Sequence, residues 1–209
     1  MKAILVGLCA LMLSFGPAGA ATSELAPDEL VRRLSDEVLE ILRSDEGLRN
    51  GDTTRAVERI EEVVLPHFNF RRMTMLAVGR DWREATPEQR QRLMDAFYSM
   101  LVRTYSNALT QYRDQTIAFR PLRMSPGDTT VRVQTAVHQP GAQPVSVDYV
   151  LEKTERGWMV FDVVVAGVSL VTNYRGTFAQ EIRAGGIDGL IRALETRGSD
   201  LVPPPAGQS

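Results

Sequence analysis

Apolar residues fall on a helical period from residue 27 to 112, on a strand period from 115 to 166, and on a helical period again from 168 to 195. Leu30, Leu34, Val38, Ile41 and Leu42 make the first stripe, behind Asp28 and Glu29, whose charge suits a helix N-terminus. Gly47 to Gly51 breaks this helix. A second is predicted over Thr53–Leu65, carrying Val57, Ile60, Val63 and Val64, and Pro66 ends it. A short helix follows over Arg71–Val78 and stops at Gly79. The long one lies in "ATPEQRQRLMDAFYSMLVRTYSNALTQY". Thr86 is its N-cap, Pro87 its first residue and Gln89 its third, a capping box. Leu93, Phe97, Met100, Leu101, Tyr105, Ala108, Leu109 and Tyr112 form one wide face, over roughly 26 residues or ~39 Å.

The middle of the chain alternates instead. "QTIAFRPLR" places Ile117 and Phe119 on one side. "TTVRVQTAVH" does so with Val131, Val133, Thr135 and Val137, and "PVSVDYVLEK" with Val145, Val147, Tyr149 and Leu151. "GWMVFDVVVAG" is apolar on both sides, which predicts a central or doubly covered strand. Short turns at Pro126-Gly127-Asp128, at Gln139 to Pro144 and at Glu155 to Gly157 imply an antiparallel meander. A helix over Ser169–Ala184, a Gly185-Gly186 break and a last helix in "IDGLIRALE" close the fold. The class is α+β: a four-stranded antiparallel twisted sheet with helices packed on one face, plus a helical lobe. A twisted sheet covered by a long helix makes a cone, and its interior is a natural cavity.

The N-terminus changes the picture by giving an address. "MKAILVGLCALMLSFGPAGA" has a basic start at Lys2, an apolar run and an Ala18-Gly19-Ala20 site, so residues 1–20 read as a signal peptide cleaved after Ala20. The run is shorter than the ~20 residues of a membrane span. Cys9 is the only cysteine and falls inside this segment, so the expected mature chain forms no disulfide. The remaining 189 residues suffice for one folded domain of two lobes over 21–196. Its helical part spans about 25–112, its sheet about 115–166 and its C-terminal helices about 168–195. Residues 197–209, "RGSDLVPPPAGQS", have the composition of a disordered tail. Without Lys2 the charge is −3, which is no nucleic-acid footprint. The cations are almost all arginine, with Lys153 the sole mature lysine.

Catalytic and metal-binding patterns are sparse. His67 and His138 stand far apart, without partners at ligand spacing. Ser169 lies in "GVSLV", not in a G-x-S-x-G elbow, and reads as a helix N-cap. No phosphate-binding glycine loop or calcium loop is present. Asp148 and Asp162 sit on strands, opposite in parity to the aliphatic face. Either is a candidate general base for an isomerase-like enzyme of a cone fold, or pairs with arginine on the outer face. The aliphatic positions of the strands, with Phe97, Leu101 and Tyr105, offer more apolar surface than one small sheet needs.

Two longer stretches carry a resemblance. "LPHFNFRRMTMLAVGRDWREATPEQRQRLMDAFYSMLVRTYSNAL" and "GWMVFDVVVAGVSLVTNYRGTFAQEIRAGGIDGLIRAL" resemble the MlaC family, also called toluene-tolerance auxiliary components. The likeness runs from Leu65 to Leu194. It includes the Gly-x-x-Trp at 79–82, the Ala-Thr-Pro at 85–87, the Gly-Val-Ser at 167–169 and the Gly-Ile-Asp at 186–188. Asn69 departs from an aspartate common among relatives, a small change if the residue caps the Arg71 helix. The resemblance implies a nuclear-transport-factor-like cone joined to a helical lobe. It implies a non-enzymatic periplasmic carrier, acting as a monomer, with phospholipid as cargo and no cofactor. Its partners would be an inner-membrane Mla ABC transporter complex with a lipid-binding hexamer and an outer-membrane lipoprotein–porin complex, and its role would be to maintain outer-membrane lipid asymmetry.

Exposing two tails of about 30 methylenes costs about 24 kcal/mol, so such a lipid does not cross water unaided. On this reading Phe161, Val163 and Val165 face the tails from the last long strand, and Val168 turns at the pocket mouth. Leu170, Tyr174 and Phe178 close one side. Val133, Val147 and Tyr149 come from neighbouring strands, and Phe97, Leu101 and Tyr105 from the long helix. Arg71, Arg72, Arg80 and Arg83 either meet partners or headgroup phosphate, or form a solvated face.

Overall fold

Pro27 opens the first helix at a position where its missing N–H costs nothing. The computed structural model of the chain describes residues 25–109 and 114–197. The expected signal peptide, the end of the tail and Tyr112 lie outside them. The helices are α1 (Pro27–Ser44), α2 (Glu46–Arg49), α3 (Thr54–Val64), α4 (Phe70–Val78), α5 (Pro87–Leu109) and α6 (Leu170–Arg197). Short 3₁₀ turns at Leu65–His67 and Gly79–Arg83 flank α4. α2 fills the stretch expected to be a plain break. The Asp45 side chain accepts the Leu48 N–H at 3.2 Å and nucleates its single turn. α6 is bent at Gly186, whose φ of 67° is left-handed, so the predicted glycine break divides it.

The local start signals hold in detail. Thr86 and Gln89 exchange bonds, with the Thr86 N–H to Gln89 Oε1 at 3.0 Å and the Gln89 N–H to Thr86 Oγ1 at 3.2 Å. Asn69 caps α4 by accepting the Arg72 N–H at 3.0 Å. Ser169 Oγ accepts the Thr172 N–H at 3.0 Å at the start of α6.

The sheet is an antiparallel meander of β1 (Thr116–Phe119), β2 (Thr130–His138), β3 (Val145–Thr154), β4 (Gly157–Val165) and β5 (Val168–Ser169). The fifth strand has two residues, too few to show a period. It folds back on Val164 and Val165 through a turn in which both Ala166 (φ 49°) and Gly167 (φ 85°) are left-handed. Cross-strand register places Val133, Tyr149 and Val163 in one row, and Val131, Leu151 and Val160 in the next. These side chains form one core with Leu30, Val31 and Leu34 of α1.

A bulge interrupts β4. Leu151 pairs with Val160 but Val150 pairs with Asp162, which leaves Phe161 as an extra residue. Phe161 therefore leaves the α1 side and joins a second core made by α4, α5 and α6. The α5 stripe of Leu93, Phe97 and Met100 packs there, against Tyr174, Phe178, Leu190 and Leu194 of α6. α1 packs on one face of the sheet at β2, α4 and α6 meet β4, and the long helix α5 packs on α4 and α6 instead of on the sheet. A smaller cluster of Ile41, Leu48 and Ala56 ties α1, α2 and α3 together.

Candidate functional site

Between α1, α3 and the sheet lies an apolar cavity of about 240 Å³. α1 contributes Val31, Leu34, Ser35, Val38 and Leu39, a stripe wide enough to face both sheet and cavity. α3 adds Ile60 and Val64, the following turn adds Phe68, and the strands add Ile117, Tyr149 and Val160. Ser35 and Tyr149 carry the polar groups of this lining. Burial pushes the Tyr149 hydroxyl up from its ordinary value, partly offset by its hydrogen bond with Ser35, so it stays neutral. A smaller apolar groove of about 160 Å³ separates α3 from α5, lined by Val57, Ile60, Val102 and Tyr105 among others. Ile60 lines both spaces and is the wall between them.

The residues expected at the site divide between the two cores. Tyr149 lines the cavity, and Val133 and Val163 belong to the core beside it. Val147 and Val165 continue the same sheet face toward its open end, where Val165 is exposed and pairs with Val168. Phe97, Tyr174 and Phe178 are fully buried against each other, with ring centroids 5.2 to 5.6 Å apart, and do not reach the cavity. Leu101, Leu170 and Phe161 pack in that same helical core. Phe161 was expected on the face of Val163 because strict alternation puts it there; the bulge moves it. Tyr105 lines the α3–α5 groove, and its hydroxyl lies 3.5 Å from that of Tyr174.

A family description, MlaC protein, matches residues 32–196 of the chain. The chain belongs to the MlaC family. Over 195 residues it is 21% identical to the intermembrane phospholipid transport system binding protein MlaC of Haemophilus influenzae, covering 92% of this chain and 91% of that one. It is 33% identical to the toluene tolerance protein ttg2D of Pseudomonas putida over 107 residues, 51% of this chain and 49% of that protein. A phospholipid-binding protein from Ralstonia solanacearum, solved in complex with a phospholipid, superposes with a TM-score of 0.79 at 37% identity. The match covers 85% of this chain and 99% of that one.

In this MlaC-family chain the two strand aspartates are engaged by structural partners. Asp162 accepts Ser169 Oγ at 2.6 Å and the Val171 N–H at 3.2 Å, so it fastens the first turn of α6 to β4. Asp148 meets Arg132 at 3.5 Å. Among the described residues no group of three His, Cys, Asp or Glu is placed to hold a metal ion, and no helix is long and apolar enough to cross a membrane. His67 sits in the turn after α3. Burial and the positive charge of Arg33 hold its pKa below the ordinary 6.5, against an opposing pull from Glu37.

The cavity residues of α1 and α3 were the ones that sequence reasoning missed. Their signal was present as width: Val31, Leu34, Val38 and Leu39 cover more of α1 than one packing seam needs. Pattern alone does not say which of two helical groups lies over a sheet.

Proposed function

We propose that this chain is a periplasmic phospholipid carrier that holds acyl tails between α1, α3 and the sheet face bearing Val133, Val147, Tyr149, Val163 and Val165. The observation that carries the reading is the cavity, whose polar side chains among the described lining residues are the hydroxyls of Ser35 and Tyr149. Tails moving from a bilayer into such a space exchange one apolar medium for another, so the net free-energy change is small. The phospholipid bound by the Ralstonia solanacearum relative supports the choice of ligand. The family supports a shuttle between an inner-membrane Mla transporter with its lipid-binding hexamer and an outer-membrane lipoprotein–porin complex, carried out by a monomer. The bonds of Asp148 and Asp162 favour a carrier over an enzyme, because neither carboxylate is held as a base beside the cavity.

At about 240 Å³ the cavity is below the ~300–1,000 Å³ of small-molecule sites. Two tails therefore require α1 or α3 to move outward. Merging the cavity with the α3–α5 groove past Ile60 is the shortest route to more room. Native mass spectrometry of the protein, purified from its host without detergent, tests the proposal. We expect a mass excess of one or more phospholipids, identified as glycerophospholipid after solvent extraction. A bare protein mass that stays unchanged after incubation with liposomes rejects it.

A further inference from the structure

On the helical lobe, the 3₁₀ turn Gly79–Arg83 and the first half of α6 enclose a cleft of about 410 Å³. Its floor is apolar, from Val78, Ala179 and Ile182. Its charged lining is Arg80, Arg175 and Arg183 against Asp81. This cationic recess stands on a chain whose formal net charge is −2.

The turn that carries Arg80 is braced by packing and hydrogen bonds. Trp82 is buried and anchors it from below. Arg90 lies over the Trp82 ring at 5.6 Å and donates to the carbonyls of Trp82 and Arg83, each at 3.1 Å. Arg175 donates twice to the Leu76 carbonyl, at 3.1 and 3.0 Å, which fixes its guanidinium at the cleft wall. Gly79 has φ 73° and ψ −136°, a conformation open to glycine and strained for other residues. Arg80 projects from this turn into solvent, its side chain 94% exposed and 4.0 Å from Asp81.

We propose that this cleft docks an acidic segment of a partner protein, one apolar side chain on the floor and flanking carboxylates on Arg80 and Arg183. Two features favour a protein. Arginine pairs bidentately with carboxylates. Arginine rims around an apolar floor are the composition of protein interfaces. The identity of the partner rests on the carrier reading above, since a carrier must dock where it loads or unloads. The cleft shares no lining residue with the tail cavity, so docking and cargo are separately testable.

The test is the Arg80→Glu/Arg183→Glu double variant, with Arg120→Glu/Arg123→Glu as a control of equal charge change elsewhere on the surface. Binding of each to the purified inner-membrane transporter complex and to the purified outer-membrane lipoprotein–porin complex is measured at two salt concentrations. Binding to vesicles containing phosphatidylglycerol is measured alongside. We expect the cleft variant to lose about tenfold or more in affinity for at least one complex and to lose salt sensitivity, with the control little changed. Unchanged affinity for both complexes overturns the proposal, as does an equal loss in the control. A loss confined to the vesicles also overturns it, in favour of a membrane surface. Lipid content of all three proteins is read by native mass spectrometry. Absence of lipid from the unaltered protein would defeat the carrier reading alone, and the affinities would still decide the cleft.

Discussion

Ser169 and Asp162 together begin α6. The hydroxyl caps the Thr172 N–H and the carboxylate holds both that hydroxyl and the Val171 N–H. Ser169→Ala should cost ~1 kcal/mol, a fall of roughly 2–4 °C in Tm, while lipid content stays normal. Scanning calorimetry with lipid extraction checks both, and loss of lipid at normal Tm would contradict a purely structural role. Caps of this kind were legible because the signal is local: Thr86 with Gln89, and Asn69 before α4, need only neighbours in sequence. The placement of Phe97, Tyr174 and Phe178 was not, since an aromatic stripe looks the same whether it meets a ligand or another helix. In the cavity wall, Val38→Glu puts a charge against apolar groups with no counter-ion. We expect a folded protein largely without phospholipid, and normal lipid content would remove Val38 from the site. His67 gives a pH dependence. Its folded pKa is below the ordinary 6.5, so on acidification the unfolded chain takes up the proton first. Stability contributed above about pH 6.5 is thus lost as the pH falls through that value toward the folded pKa. Denaturant midpoints at about pH 7.5 and 5.5 should differ less in His67→Gln than in the unaltered chain.

At the level of elements, arginine joins helices end to side. Arg175 of α6 reaches the Leu76 carbonyl of α4, and Arg103 of α5 reaches the Leu194 carbonyl of α6 at 3.0 Å. Each supplies a cation and donors to carbonyls late in a helix, where the last turns lack partners and the dipole is negative. This gives structural work to an arginine content that composition showed without explaining. Arg72 instead ties α4 to the sheet through a carboxylate and a ring. It pairs with Glu152 of β3, which also accepts Asn69 Nδ2 at 2.8 Å, and lies 4.0 Å over the Phe161 ring. Strand number and pairing order were largely readable from turns and alternation. The bulge was not, because an extra residue in a strand that is apolar on both sides leaves no break in the pattern.

Across the whole molecule, the seam between α3 and α5 is open along a groove beside the cavity. The groove runs between Val57 and Ile60 of α3 and Val102 and Tyr105 of α5, and burial, with Glu61 of α3 facing the Tyr98 hydroxyl of α5, holds the pKa of that hydroxyl above the ordinary value. Cysteines introduced at Val57 and Val102 and joined by a short bismaleimide should hold α3 to α5. We expect exchange of bound phospholipid with liposomes to slow at least tenfold in the joined protein and to be unaffected in the single-cysteine forms; unchanged exchange would place the opening elsewhere. β4, by contrast, is a party wall shared by both cores, and Phe161 is the residue that switches which side of the wall the strand serves. Chain length is consequently negotiable in some places and not in others. The turn from Gln139 to Pro144 lies in solvent and can lengthen without reaching either core. Removing the single residue Phe161 would only close the bulge, with Asp162 still opposite Val150 and Val163 still opposite Tyr149, at the cost of one ring in the helical core; removing Val163 instead would reverse the faces of the strand beyond it. In this fold the spelling of β4 tolerates substitution more readily than a change of frame.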